Sequence, residues 1–93
     1  MYDLVATGRF KKDLKAVIKR GYDVSLLDSV VGLLVEGKEL PEKKKDHALS
    51  GNWIGHRECH VTPDWLLVYK VDTNILVLTL TRTGTAIYFR IGI

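Results

Sequence analysis

The groups best suited to chemistry crowd into one stretch, Asp46 to Tyr69, which reads DHALSGNWIGHRECHVTPDWLLVY. All three histidines (His47, His56, His60), both tryptophans (Trp53, Trp65) and the only cysteine (Cys59) fall inside it, and Arg82 follows a little later. Three chemistries fit these residue types. Zinc would accept His56, Cys59 and His60, but in a strand His56 and His60 share a face while Cys59 points to the other. A Cys59–His60 nucleophile pair meets the same obstacle, because adjacent strand residues point apart. Acid–base cleavage of a phosphodiester meets none. His60, Asp64 or His47 can act as base on a ribose 2′-hydroxyl. Arg82, Arg57 and nearby lysines can hold the phosphate charge, arginine in bidentate fashion, and Trp65 can stack on a base. Trp53 and Tyr69 are read as core residues.

The elements that must position these groups follow from periodicity. Thr7 caps a helix through about Arg20, with Gly21 as its stop and Phe10, Leu14, Val17 and Ile18 on one buried face. Asp23 caps a second helix ending at Gly37, with Val24, Leu27, Val30, Val31 and Leu34 inward. The short turn between them predicts a helical hairpin. A weak strand signal, Tyr2 to Val5, precedes the first helix. Lys38 to Gly51 reads as a loop. Strands are predicted over Asn52–Val61, Trp65–Val71, Asn74–Thr81 and, after Gly84, Ala86–Ile91, with turns at Thr62–Asp64 and Asp72–Asn74. Helices followed by consecutive strands predict an α+β fold, the hairpin lying on a curved antiparallel β-sheet.

Ninety-three residues suit a single domain, 1–93, able to bury a modest core. One cysteine excludes an internal disulfide and points to the reducing cytoplasm. No apolar run approaches the roughly 20 residues that cross a bilayer, so no membrane partner is expected. The net charge of +3 is unevenly placed. Lys11, Lys12 and Lys15 lie on the first helix and Lys43, Lys44 and Lys45 form a second cluster, an arrangement that attracts a polyanion.

Asp46-His47-x-Leu49-x-Gly51-x-Trp53, Arg57-Glu58-Cys59-His60-Val61-x-Pro63-Asp64-Trp65-Leu66-Leu67-Val68-Tyr69 and Arg82-Thr83-Gly84-Thr85 together resemble the YafQ branch of the RelE-type toxins, over residues 7 to 85 or so. The resemblance implies the toxin of a type II toxin–antitoxin pair: an endoribonuclease that cuts mRNA in the ribosomal A site, without metal or other cofactor. It also implies a cognate antitoxin whose flexible acidic segment wraps the toxin, and contact with operator DNA only through that complex. Position by position it assigns His47, His60, Asp64 and Arg82 to catalysis and places Trp65 beside them. His60 or Asp64 would be the base, Arg82 the phosphate clamp, and His47 a positioning or proton-transfer group. The two lysine clusters, Arg57 and the tail aromatic Phe89 would contact RNA.

One position departs from the pattern. Where the family carries a histidine after Arg-Thr-Gly-Ser/Thr, this chain has Ala86. That histidine is the best candidate for protonating the leaving 5′-oxygen, and alanine has no proton to give. Its loss is expected to cost on the order of 10² to 10⁴ in rate. Ala86 is either a deliberate inactivating substitution or natural divergence, and the altered tail after it favours divergence. A non-catalytic homologue that only binds antitoxin is the alternative reading.

Overall fold

The structure is a computed structural model and describes residues 1–85. Its elements run β1 (Asp3–Ala6), α1 (Gly8–Lys19), α2 (Val24–Val35), β2 (His47–Ala48), β3 (Arg57–Thr62), β4 (Trp65–Asp72) and β5 (Val77–Thr85). Both helices begin where capping chemistry places them. The Thr7 hydroxyl accepts from the Phe10 amide at 3.0 Å, and the Asp23 carboxylate accepts from the Ser25 amide at 2.9 Å. Gly21 (φ 86°) and Gly37 (φ 73°) end them in the left-handed region, which costs glycine nothing.

The five strands form one sheet in the order β1-β5-β4-β3-β2. β2 to β5 are antiparallel neighbours, whereas β1 pairs in parallel with β5. The sheet is therefore mixed, a correction to the all-antiparallel expectation. The weak N-terminal strand signal carries it: β1 has to run beside the last described strand, and only a long connection can join parallel neighbours.

α1 lies over β5 and α2 over β3. Phe10, Val17, Leu27, Val30 and Leu34 meet Cys59, Val61, Trp65, Leu67, Tyr69, Leu78 and Leu80 in one core. Leu66 and Val68 turn to the opposite face and are covered by Leu49 and Trp53. β4 is thus buried on both faces, the physical reason its sequence runs apolar without alternating. Each such side chain contributes roughly 1.5–3 kcal/mol by leaving water. Ile18, expected in the core, is 49% exposed at the margin of the α1 stripe.

Strand limits also moved. β3 starts at Arg57 because Gly51–Trp53 form a 3₁₀ turn, and β5 starts at Val77 because residues 73–76 are a turn. There the Asp72 carboxylate accepts from the Asn74 and Ile75 amides, and Leu76 takes φ 55°. Gly84 does not separate strands; it lies inside β5 opposite Leu66. The predicted strand Ala86–Ile91 lies outside the described residues.

Candidate active site

Strand pairing sets the site. Along β3, Arg57, Cys59 and Val61 face the helices, and Glu58 and His60 face the other way. β2 places His47 directly opposite Glu58, while His60 faces Leu66 across β4. His47 and His60 therefore reach the same sheet face through Glu58.

Each imidazole is oriented by a carbonyl. Lys45, left-handed at φ 50°, ends a 3₁₀ turn and aims its carbonyl at His47 Nδ1, 2.7 Å away. His47 Nε2 lies 3.4 Å from Glu58 Oε1, an ion pair whenever the ring is protonated. His60 Nδ1 is 3.1 Å from the Pro63 carbonyl. A carbonyl only accepts, so this bond assigns the proton of the neutral ring to Nδ1 and leaves the lone pair on Nε2. The half-buried ring borders a cleft of about 270 Å³ shared with Leu26, Lys43, Lys44, Thr62 and Pro63. A proton acceptor and two cations thus line one opening.

Asp64, the other candidate base, is differently placed. Its Oδ2 accepts from the Tyr22 hydroxyl and its Oδ1 from the Thr62 hydroxyl, both at 2.9 Å. These bonds, Tyr22's first, hold its carboxyl below the usual aspartate range and make it a weaker proton acceptor.

The expected stacking platform is not available. Trp65 is 0% exposed, its Nε1–H donates to Thr83 Oγ1 at 2.8 Å, and Tyr22 packs on it edge-to-face at 5.3 Å. Its faces are spent in the core, so base stacking by Trp65 is a reading the structure corrects. Arg57 stands apart from the histidines. It shares the helix-side face with Tyr69, and its Nε meets Asp46 at 3.2 Å, on the opposite face from His60. The same Asp46 oxygen accepts from the Tyr69 hydroxyl at 2.6 Å, tying the segment before His47 to the core.

Arg82 is 6% exposed, and its guanidinium forks onto the Asp13 carboxylate of α1 at 2.9 and 3.0 Å. Its fork is held toward α1 and is not displayed beside His60. Lys11, Lys12, Lys15, Lys43 and Lys45 are exposed, as a polyanion-binding role requires. Lys44 is half-buried and donates to the Val61 carbonyl at 2.8 Å. Cys59 is fully buried, and burial pushes its thiol up to about 12, so it is no nucleophile. His56 immediately precedes β3, with its ring edge-to-face on Trp53 at 5.3 Å. Ala86 and Phe89 lie outside the described residues.

Four groups to which the sequence pattern assigns no role hold these side chains: Glu58, Asp46, Tyr22 and Asp13. Glu58 alone had a usable signal, two residues from His60 in a strand. The others reach the site across pairings that no local pattern encodes.

Residues 2–87 match the family model described as bacterial toxin of type II toxin-antitoxin system, YafQ. The mRNA interferase toxin YafQ of Escherichia coli K12 is 38% identical over 87 residues, covering 92% of this chain and 95% of the relative. The crystal structure of YafQ from E. coli BL21(DE3) superposes with a TM-score of 0.88 at 38% identity, covering 96% of this chain and 98% of that one. A YafQ chain from the E. coli DinJ-YafQ complex gives 0.86 at 38% identity, covering 95% and 97%. By sequence and fold, this chain belongs to the YafQ family of bacterial toxins of type II toxin–antitoxin systems.

Proposed function

We propose that this toxin is an mRNA interferase, a ribosome-dependent endoribonuclease that stops translation by cutting mRNA in the A site. The observation that carries the reading is His60: its Nδ1 proton is engaged by Pro63, which leaves Nε2 as acceptor, and the residue lines a cleft together with Lys43. In this reading Nε2 takes the proton of a ribose 2′-hydroxyl, and the 2′-oxygen attacks the adjacent phosphorus. The bond from phosphorus to the 5′-oxygen breaks, leaving a 2′,3′-cyclic phosphate, and the 5′-oxygen must gain a proton. His47 positions the RNA, Lys43 opposes the phosphate charge, Arg82 acts from behind by anchoring β5 to Asp13 of α1, and the exposed lysines of α1 and Lys45 hold the polyanion. The protein works as one domain in the cytoplasm. Among the described residues no helix is long and apolar enough to cross a membrane.

Relatives named mRNA interferase toxin support the activity, and the DinJ-YafQ complexes support a cognate antitoxin, through which operator DNA would be engaged. Ala86 favours a second reading, a toxin homologue that binds antitoxin without cutting. Cleavage of a reporter mRNA on translating ribosomes by this chain, its Ala86→His variant and its His60→Ala variant separates the two. Cutting by either of the first two, lost in the third, supports the enzyme. Antitoxin binding with no cutting and no arrest of translation by any form supports the second reading.

A further inference from the structure

We infer that Tyr22 is a positioning residue for His60: by holding Asp64 it fixes the Pro63 carbonyl against His60 Nδ1 and so keeps the lone pair on Nε2. The inference rests on the proposed role of His60 as base and assigns Asp64 to support of that base. The chain of contacts is continuous. Trp65 is locked by its bond to Thr83, and the Tyr22 ring stands at 90° against it. From that wall the Tyr22 hydroxyl donates to Asp64 Oδ2, while Thr62 donates to Oδ1. The Asp64 carboxylate is thereby held at both oxygens. The peptide plane before Asp64 begins at Pro63, whose ring fixes its own φ. Restrained from both sides, that plane points its carbonyl at His60.

A free neutral imidazole prefers its proton on Nε2, so the opposite tautomer at His60 has to be maintained by its surroundings. The tautomer decides whether Nε2 can accept a proton at all. Other charged groups near the turn do not substitute for this tie: Lys43 and Lys44 line the cleft but can only donate, and Glu58 is engaged with His47.

The test reads the tautomer directly, by long-range ¹H–¹⁵N NMR of His60 in the free, full-length protein at a pH where the ring is neutral. The native chain is expected to show the Nδ1–H form. Tyr22→Phe, which keeps the ring on Trp65 and removes only the hydroxyl, is expected to raise the Nε2–H population about fivefold and leave the His47 tautomer unchanged. An Nε2–H ring in the native chain, or an unshifted His60 in Tyr22→Phe, overturns the inference. In the Ala86→His background the same variant is expected to lower kcat about fivefold at constant KM. If no background cuts RNA, His60 as base fails, while the NMR result still decides whether Tyr22 sets the tautomer.

Discussion

Arg82 and Asp13, 69 residues apart, close a bidentate pair in which Nε meets Oδ2 at 2.9 Å and Nη2 meets Oδ1 at 3.0 Å. The Thr83 amide adds a third bond to the same carboxylate at 3.2 Å. Side-chain exposures of 8% and 13% mean that solvent cannot replace either partner. Removing Asp13 strips three hydrogen bonds from a nearly buried ion pair, so Asp13→Ala is expected to cost about 3–5 kcal/mol in urea unfolding. The double variant Asp13→Leu/Arg82→Met should recover most of that loss. A cost near zero for Asp13→Ala would show that the pair does not anchor α1 to β5.

Restoring the family's histidine tests the departure in the tail. Ala86→His is expected to raise the first-order rate of ribosome-bound mRNA cleavage by about 10² to 10⁴ if that position supplies the general acid. Product analysis should then show 5′-hydroxyl ends. An unchanged rate would place proton donation elsewhere, with His47 or solvent as the source.

Neighbouring lysines should separate by assay. β2 pairs only with Arg57 and Glu58, so among the described residues the outer edge of β3 beyond Glu58 has no strand beside it. Lys44 satisfies the Val61 carbonyl on that edge. Lys44→Met is expected to lower stability by about 0.5–1.5 kcal/mol, and Lys43→Met by less than about 0.5. Lys43→Met should instead weaken RNA binding and reduce the slope of log affinity against log salt by about 0.7 for single-stranded RNA. Equal effects of the two substitutions on stability would contradict this division.

Alkaline pH should destabilise the protein. Burial raises the Cys59 thiol from 9.0 to about 12, and burial together with the Asp46 bond also raises the Tyr69 hydroxyl. Above pH 9 the unfolded chain releases the thiol proton while the folded chain retains it, so stability falls as pH rises. The loss begins near pH 9 and for Cys59 is complete near 12. Urea midpoints from pH 7 to 11 should decline, and Cys59→Ala should flatten the decline after its own cavity cost is subtracted. Native-state alkylation of Cys59 at pH 8 should be slower than that of the unfolded chain by orders of magnitude.

Local grammar determined a good part of this protein by itself. Thr7, Asp23, Gly21 and Gly37 bound the two helices because capping bonds and left-handed turns involve residues a few positions apart. The inward stripes of both helices and the continuous apolar run of β4 were legible for the same reason. The motif from Asp46 to Tyr69, with Arg82–Thr85, identified the family, and Ala86 was visible as a departure from it. What residues alone left open was which groups face which way. Parity on β3 and its pairing with β2 and β4 separated His60 from Arg57 and set His47 opposite Glu58. Close packing drew Trp65 into the core, and a carboxylate 69 residues away claimed Arg82. Only tertiary structure could decide these points, because each depends on partners brought near by strand pairing and helix docking. Burial then turns those partnerships into fixed orientations, since an unpaired polar group in the interior is costly.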